Sequence, residues 1–217
     1  MRMRWLVTTS GFLLAAVSPA LAQQPAPQEP VGIYVSAEAG ALFQPQTAAA
    51  FGVQFGDRIH PDVIAYATLS YFENVMSKDV TDNLAQVSQV VTVRTGRNWD
   101  LQGRDRGVGF IAGVKYLMGG GTTRPYVGGG AGILAIRRSI RDRLAGDVTG
   151  ATLRDFDVGD FVLTTGNITR PLAEAAVGVD VEFGRTHVDV GYRFRRAFHL
   201  SQAPNISQGS VGIGINF

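Results

Sequence analysis

Apolar and polar residues alternate one by one along most of this chain, which is the pattern of β-strands with two different faces. Most of the alternating segments have about 8–13 residues. A tilted strand needs about 9–11 residues to cross a bilayer. The pattern predicts eight strands: Val31–Phe43, Phe51–Gly56, Val63–Tyr71, Val108–Tyr116, Tyr126–Ile136, Ala173–Phe183, His187–Arg195 and Ser210–Phe217. In Tyr126–Ile136 the many glycines leave open which residues belong to which face.

The connections between these strands alternate in length. Arg58–Asp62, Gly119–Arg124 and Gly184–Arg185 are short, whereas Glu73–Arg106 and Arg137–Arg170 each have about 34 residues. Tight turns at one rim and longer loops at the other are typical of outer-membrane barrels. We expect the two long connections to hold no secondary structure of their own beyond extensions of the strands.

The composition of the two faces indicates that the apolar face points outward to lipid. Glycine is concentrated on the polar face, where it makes room for large neighbours inside a narrow lumen. If the N-terminus is periplasmic, aromatic residues mark both ends of the apolar face, as in the two girdles of a membrane barrel. These aromatic residues are Phe43, Phe51, Tyr71 and Phe110 near the outer rim, and Tyr116, Phe183 and Phe217 near the inner rim.

The N-terminus has the features of a secretory signal peptide. Arg2 and Arg4 precede an apolar run from Trp5 to Val17, and Ala20 and Ala22 have the small-x-small spacing that signal peptidase reads. We therefore predict a signal peptide over residues 1–22, a proline-rich leader over 23–30 and a barrel over 31–217.

Charge and composition narrow the possibilities further. The whole chain has 20 basic and 18 acidic residues, so removing Arg2 and Arg4 leaves 18 of each, a neutral mature protein with no sign of nucleic-acid binding. There is no cysteine, which excludes disulfides and thiolate metal sites. No apolar run after Val31 is long enough for a membrane helix, so a membrane structure must be a closed barrel. The fold class predicted is an all-β, eight-stranded, antiparallel, up-and-down transmembrane β-barrel.

Three segments resemble the small outer-membrane β-barrel family, which includes OmpA-type, OmpX-type and OmpW-type barrels. They are Pro125–Gly132, Val190–Phe194 and Val211–Phe217. The resemblance implies residence in the bacterial outer membrane among its lipids. It also implies that the barrel assembly machinery reads Ile215 and Phe217 as an assembly signal. We expect a monomer.

The polar face carries nine ionisable residues that we expect in the lumen. The two-residue turn Gly184–Arg185 sets the register of the strands around it, so Glu174 should face Arg195, and Glu182 should face His187. Asp180 then faces Asp189, an unfavourable like-charge pair, and Lys115 is the candidate cation between them. A rigid polar plug is favoured over an ion path, because side chains fill an eight-stranded barrel. The predicted network comprises Glu38, Lys115, Glu174, Asp180, Glu182, His187, Asp189, Arg193 and Arg195.

Other candidate chemistry has weaker support. His199-Leu-Ser201 resembles the His-x-Ser of outer-membrane lipid A deacylases, but the last strand has no acid to complete a triad. Asp155, Asp157 and Asp160 have some calcium-like spacing but lack the rest of an EF-hand loop. The basic segment Arg137–Arg143 is suited to lipopolysaccharide phosphates, although a solvated rim is favoured over that interpretation.

The sequence therefore predicts a non-enzymatic outer-membrane protein without cofactor or metal, with a structural or surface-interaction role. The alternative is a narrow channel for ions or small solutes. A lipid A-modifying enzyme is the remote alternative.

Overall fold

The computed structural model describes residues 32–43, 47–143, 146–147, 166–198 and 204–217. The predicted signal peptide and leader lie outside these residues. Within the described chain, no helix has both the length and the hydropathy needed to span a bilayer. Nine strands and one helix are described: β1 (Ile33–Leu42), β2 (Ala48–His60), β3 (Val63–Phe72), α1 (Lys78–Thr95), β4 (Leu101–Leu117), β5 (Thr123–Asp142), β6 (Gly146–Asp147), β7 (Gly166–Phe183), β8 (Thr186–Ala197) and β9 (Asn205–Asn216).

Eight of these strands close into a barrel. Each pairs antiparallel with its neighbours along the chain, and β1 pairs with β9 to close the ring. The two-residue β6 pairs only with the tip of β5, so it is not a barrel strand. The predicted fold class, an eight-stranded antiparallel up-and-down barrel, is confirmed.

The two faces are arranged as the alternation predicted. In β4, Val108, Phe110 and Val114 are exposed on the exterior, whereas Ile111 and Lys115 are buried inside. The structure shows which residues of Tyr126–Ile136 belong to which face. Tyr126 and Leu134 face inward, and the residues between them alternate between the lumen and the exterior. The aromatic residues predicted for the two rims are all exposed.

Lumen glycines provide space for aromatic rings. A side chain on Gly56 would overlap the Tyr34 ring, and one on Gly113 would overlap Tyr66. Tyr126 in the same way lies over Gly178 of the adjoining β7 and Gly191 of β8, the next strand beyond it. The glycine-rich polar face is therefore a packing requirement of the narrow lumen.

The connection Glu73–Arg106 contains a helix, so the prediction that it held only strand extensions was wrong. The Ser77 side chain caps α1 by accepting a hydrogen bond from Val80 N at 3.4 Å. Gly96, at φ 67°, ends the helix in the left-handed conformation that glycine adopts readily. Four residues at helical spacing form its buried stripe: Val80, Leu84, Val87 and Val91.

Three strands continue beyond the outer rim of the barrel. Residues 101–106 of β4 lie past the end of β3, and β7 residues before Leu172 lie past the end of β8. Residues 101–106 pair with residues 137–142 of β5, and on the other side of β5 only Gly166 and Asn167 of β7 pair within that segment. We call this sheet (residues 101–106, 137–142 and 166–167) the outer extension. Six residues of strand rise about 20 Å, so the extension reaches well beyond the apolar exterior.

Candidate functional site

The structure places all nine predicted residues inside the lumen. Each is at most 7% exposed. Arg58 and Arg124 also face inward, which sequence reasoning missed because it assigned both to turns. Within the described barrel, five carboxylates and five cations therefore share the lumen: Glu38, Glu174, Asp180, Glu182 and Asp189 with Arg58, Lys115, Arg124, Arg193 and Arg195.

Glu174 and Arg195 form the most buried ion pair in the lumen. They face each other across β7 and β8, as the turn register predicted, and Arg195 Nε lies 2.6 Å from Glu174 Oε2. The Tyr66 hydroxyl donates to Glu174 Oε1 at 2.7 Å, and Arg195 also donates to Gln208. The guanidinium lies 5.2 Å from the centre of the Phe72 ring. These contacts tie together strands from opposite sides of the barrel.

Arg193 is completely buried and pairs with Glu38 across the lumen at 2.5 Å. It also lies 4.0 Å from Asp189, four residues earlier on the same strand. Arg193 therefore joins two carboxylates that belong to different strands. Because β1 and β8 both adjoin β9, this ion pair spans one intervening strand.

Asp180 and Asp189 are direct neighbours across β7 and β8, and Lys115 reaches Asp189 from the opposite wall. Lys115 Nζ lies 2.9 Å from Asp189 Oδ2 and 2.8 Å from Gln54 Oε1. The Tyr126 hydroxyl donates to the other Asp189 oxygen at 3.1 Å. The predicted cation is therefore present beside the acidic pair, bound to Asp189.

Near the inner rim, Glu182 binds Arg58 rather than its strand neighbour His187. Arg124 donates to Pro61 O at 2.5 Å and lies 3.3 Å from Asp62. These contacts join the β2–β3 turn to β5 and β7. The alternation along each strand could have placed both arginines, because every second residue of a barrel strand faces inward. Arg58 and Arg124 each occupy such an inward position on their own strand.

The outer third of the lumen is apolar, which the sequence analysis did not predict. Its residues lie on the nominally polar face of their strands and are at most 3% exposed. We call them the outer apolar layer: Leu42, Phe72, Ile111, Leu134, Ile136, Leu172 and Ile206. An apolar constriction disfavours hydrated ions. The lumen thus has two regions along its axis, one with buried ion pairs and the outer apolar layer.

The outer extension supports α1 on the face that continues the lumen. Val80, Leu84, Val87 and Val91 pack with Leu101 and Ile140 of the extension in one cluster. Gly103 lies beneath the helix, where a larger side chain would overlap Met76 and Leu84.

Polar contacts join the strands of the outer extension to each other and to the loop that follows α1. Arg138 holds Asp105 through two nitrogens, with Nε at 2.9 Å from Oδ1 and Nη2 at 2.7 Å from Oδ2. Asp142 accepts from Arg97 at 3.3 Å and from the backbone of Asp100 at 3.1 Å. The helix and its loops are thus a fixed outer structure on the barrel.

The remaining predicted residues lie elsewhere. Ile215 and Phe217 are exposed on the exterior near the inner rim, and their role as an assembly signal stays a prediction. His199, Ser201 and the cluster of Asp155, Asp157 and Asp160 lie outside the described residues. Among the described residues, no group of three acidic or histidine side chains is arranged to hold a metal ion.

No protein-family model matches the chain, and no curated protein has significant sequence similarity to it. Solved structures are similar in fold. Neisserial surface protein A, NspA, matches with a TM-score of 0.51 at 13% identity, over 86% of this chain and 96% of NspA. Ail, the attachment invasion locus protein of Yersinia pestis, has a TM-score of 0.48 at 9% identity, over 86% of this chain and 97% of Ail. The N-terminal β-barrel domain of Pseudomonas aeruginosa OprF has a TM-score of 0.47 at 15% identity, over 86% of this chain and 97% of that domain.

The match to NspA and the closed ring of strands define the class of fold. This chain has the fold of the small eight-stranded outer-membrane β-barrels.

Proposed function

We propose that this protein is an integral protein of the bacterial outer membrane with a structural and surface-contact role, and that its lumen does not conduct. The observation that carries the proposal is the sequence of buried ion pairs and the outer apolar layer along the axis of the lumen. We infer that this arrangement leaves no continuous polar path.

The exterior supports membrane residence. On β4, outward apolar residues run from Val108 to Tyr116, which is nine residues of strand. On β7 they run from Ala173 to Phe183, which is eleven. A membrane strand needs about 9–11 residues. A soluble barrel would expose these rows to water at a large cost in free energy, because burying such side chains contributes about 25 cal/mol per Å².

The balance of charge supports a plug rather than an ion path. Five cations and five carboxylates leave the lumen formally neutral. Glu174, Asp189 and Glu38 each have a cationic side chain within hydrogen-bond distance. An ion entering the charged region would have to displace a bound partner. A buried partner resists displacement because it would be left as an unpaired charge.

The outer extension supports the surface-contact role. It holds α1 and the loop that follows it in a fixed position beyond the apolar exterior, through the cluster around Leu84 and the Arg97–Asp142 pair. A rigid platform lowers the entropy cost of binding a partner. This surface, rather than the lumen, is the part of the protein available to the cell's surroundings.

Single-channel recording in planar bilayers tests the proposal. The wild-type protein should give no steady open state. The triple variant Phe72→Ala/Leu134→Ala/Leu172→Ala should also conduct little, because the charged region remains, and adding Glu174→Ala/Arg195→Ala should produce discrete openings. Leu69→Ala, on the exterior of β3, is the control for substitution alone. A steady open state in the wild type would instead support the channel.

A further inference from the structure

Four arginines lie on the outward face of the outer extension, the face that continues the lipid-facing exterior. They are Arg104 and Arg106 of β4 and Arg137 and Arg141 of β5. Together with Ser139 they line one groove of about 610 Å³ at the outer rim. Glu73, which pairs with Arg104, is the acidic residue of this groove.

The strand register places like charges side by side in this groove. Arg106 lies directly opposite Arg137, and like charges in this position destabilise a sheet. Within the described residues, neither of these two guanidinium groups has a carboxylate partner in salt-bridge range. The fold thus holds two adjacent positive charges that a bound anion would neutralise.

The position of Arg106 and Arg137 along the barrel axis indicates where a bound anion would lie relative to the hydrocarbon core of the membrane. Arg106 is two residues beyond Val108, an exposed apolar residue, and Arg137 is two residues beyond Ala135 on the same face. Two residues of strand rise about 7 Å. The headgroup region extends about 5–8 Å beyond the hydrocarbon core on each side. Both arginines therefore lie at the level of lipid headgroups.

We propose that this groove binds the phosphate groups of a phosphorylated glycolipid of the outer leaflet, lipopolysaccharide. The inference rests on the proposed residence in the outer membrane. Guanidinium groups bind phosphate through two parallel hydrogen bonds and stay charged at any physiological pH. Two opposed arginines provide donors from two strands to one phosphate, and Arg104 and Arg141 lie further out along the same groove.

Arg196 of β8 offers a matched control. It is also exposed on the exterior at the outer rim, but its strand neighbours are Ala173 and Asn205 rather than a second arginine. A lone arginine lacks the paired donors that the proposal requires. Comparing Arg106→Gln/Arg137→Gln with Arg196→Gln therefore separates the paired site from a general attraction of arginine to lipid.

The experiment is native mass spectrometry of the full chain, extracted from outer membranes in detergent and titrated with three probes. These are a diphosphorylated lipid A-type glycolipid, the same glycolipid without phosphate, and inorganic phosphate. The wild type should bind the diphosphorylated form about tenfold or more tightly than the dephosphorylated form, as expected for charge-assisted contacts. Arg106→Gln/Arg137→Gln should lose this preference and Arg196→Gln should keep it. Arg106→Lys/Arg137→Lys should retain part of it.

Three results would overturn the proposal: equal binding of both glycolipids by the wild type, an unchanged preference in Arg106→Gln/Arg137→Gln, or an equal loss in Arg196→Gln. Binding of inorganic phosphate with the same arginine dependence, but without glycolipid binding, would overturn the lipid as the source. Loss of binding leaves the proposed function intact if the double variant still fractionates with outer membranes and stays silent in bilayers. A wild-type chain absent from that fraction would instead contradict the proposed function itself.

Discussion

Two lysine–aspartate ion pairs in this molecule have similarly short contacts but opposite surroundings. In the lumen, Lys115 lies 2.9 Å from Asp189, and both side chains are 3% exposed. On α1, Lys78 lies 2.5 Å from Asp82, and the two side chains are 73% and 54% exposed. The first pair is enclosed by the barrel wall, whereas water surrounds the second.

The difference teaches that burial, not contact distance, decides what an ion pair contributes here. Removing one member of the lumen pair would leave a charge that water cannot solvate easily, which is strongly destabilising. Removing one member of the surface pair leaves a charge that water solvates at once. The barrel thus depends on the ion pairs in its lumen, while the outer structure depends on the apolar cluster around Leu84.

The largest effect is expected from Glu174→Ala. The substitution leaves the fully buried Arg195 without its carboxylate and Tyr66 without its acceptor. We expect the free energy of unfolding to fall by about 3–5 kcal/mol. Urea titration of the barrel in micelles, followed by the mobility of unboiled samples on gels, measures this loss.

Glu73→Ala is the matched control for that substitution. Glu73 also pairs with an arginine, Arg104, but both side chains are 43% exposed. Its removal should change the unfolding midpoint very little, because exposed pairs contribute little. If the two alanine variants were equally stable, the comparison between buried and exposed pairs would fail.

A smaller and more local effect is expected from Leu84→Ala. Leu84 is 2% exposed in the cluster between α1 and the outer extension. Truncating a buried leucine costs about 2–5 kcal/mol, but the barrel strands do not depend on this cluster. The helix should therefore open locally, with faster amide exchange across α1 and an unchanged urea midpoint for the barrel.

Val93→Ala, on the exposed side of the same helix, is the control for Leu84→Ala, since Val93 is 84% exposed. Exchange in α1 should stay at the wild-type rate in this variant. A fall in the urea midpoint of Leu84→Ala would show that the outer structure and the barrel unfold together. The separation of the two regions would then be wrong.

The barrel was predictable from the sequence because a membrane strand repeats every two residues and exposes one whole face to lipid. Alternation alone placed residues such as Glu38 and Arg193 inside, and the two-residue turn fixed Glu174 against Arg195. Ion pairs across the lumen were harder to predict from the sequence, because they depend on how the strands close into a ring. The pairing of Arg58 with Glu182 joins strands that are far apart in sequence.

The two features that were missed have different causes. The outer apolar layer was hidden because residues such as Leu134 and Ile136 are apolar on the face that alternation marks as polar. The helix α1 did have a signal, with Ser77 before it, Gly96 after it and a buried stripe at helical spacing. Val93, which is exposed on the other side of the helix, weakens that periodicity.

The smallest effect is expected from Lys78→Met, which breaks the shortest of the lysine–aspartate contacts. The hydrogen bond that Lys78 donates to Asp82 raises the pKa of the Lys78 ammonium, so the ammonium is charged at neutral pH. Any contribution from the raised pKa is present there and would be lost only as pH rises through that pKa. Since the Lys78 side chain is 73% exposed, we expect amide exchange in α1 at neutral pH to match the wild type. If Lys78→Met opened α1 as much as Leu84→Ala, exposed charge would stabilise the outer structure, and contact distance would matter more than burial.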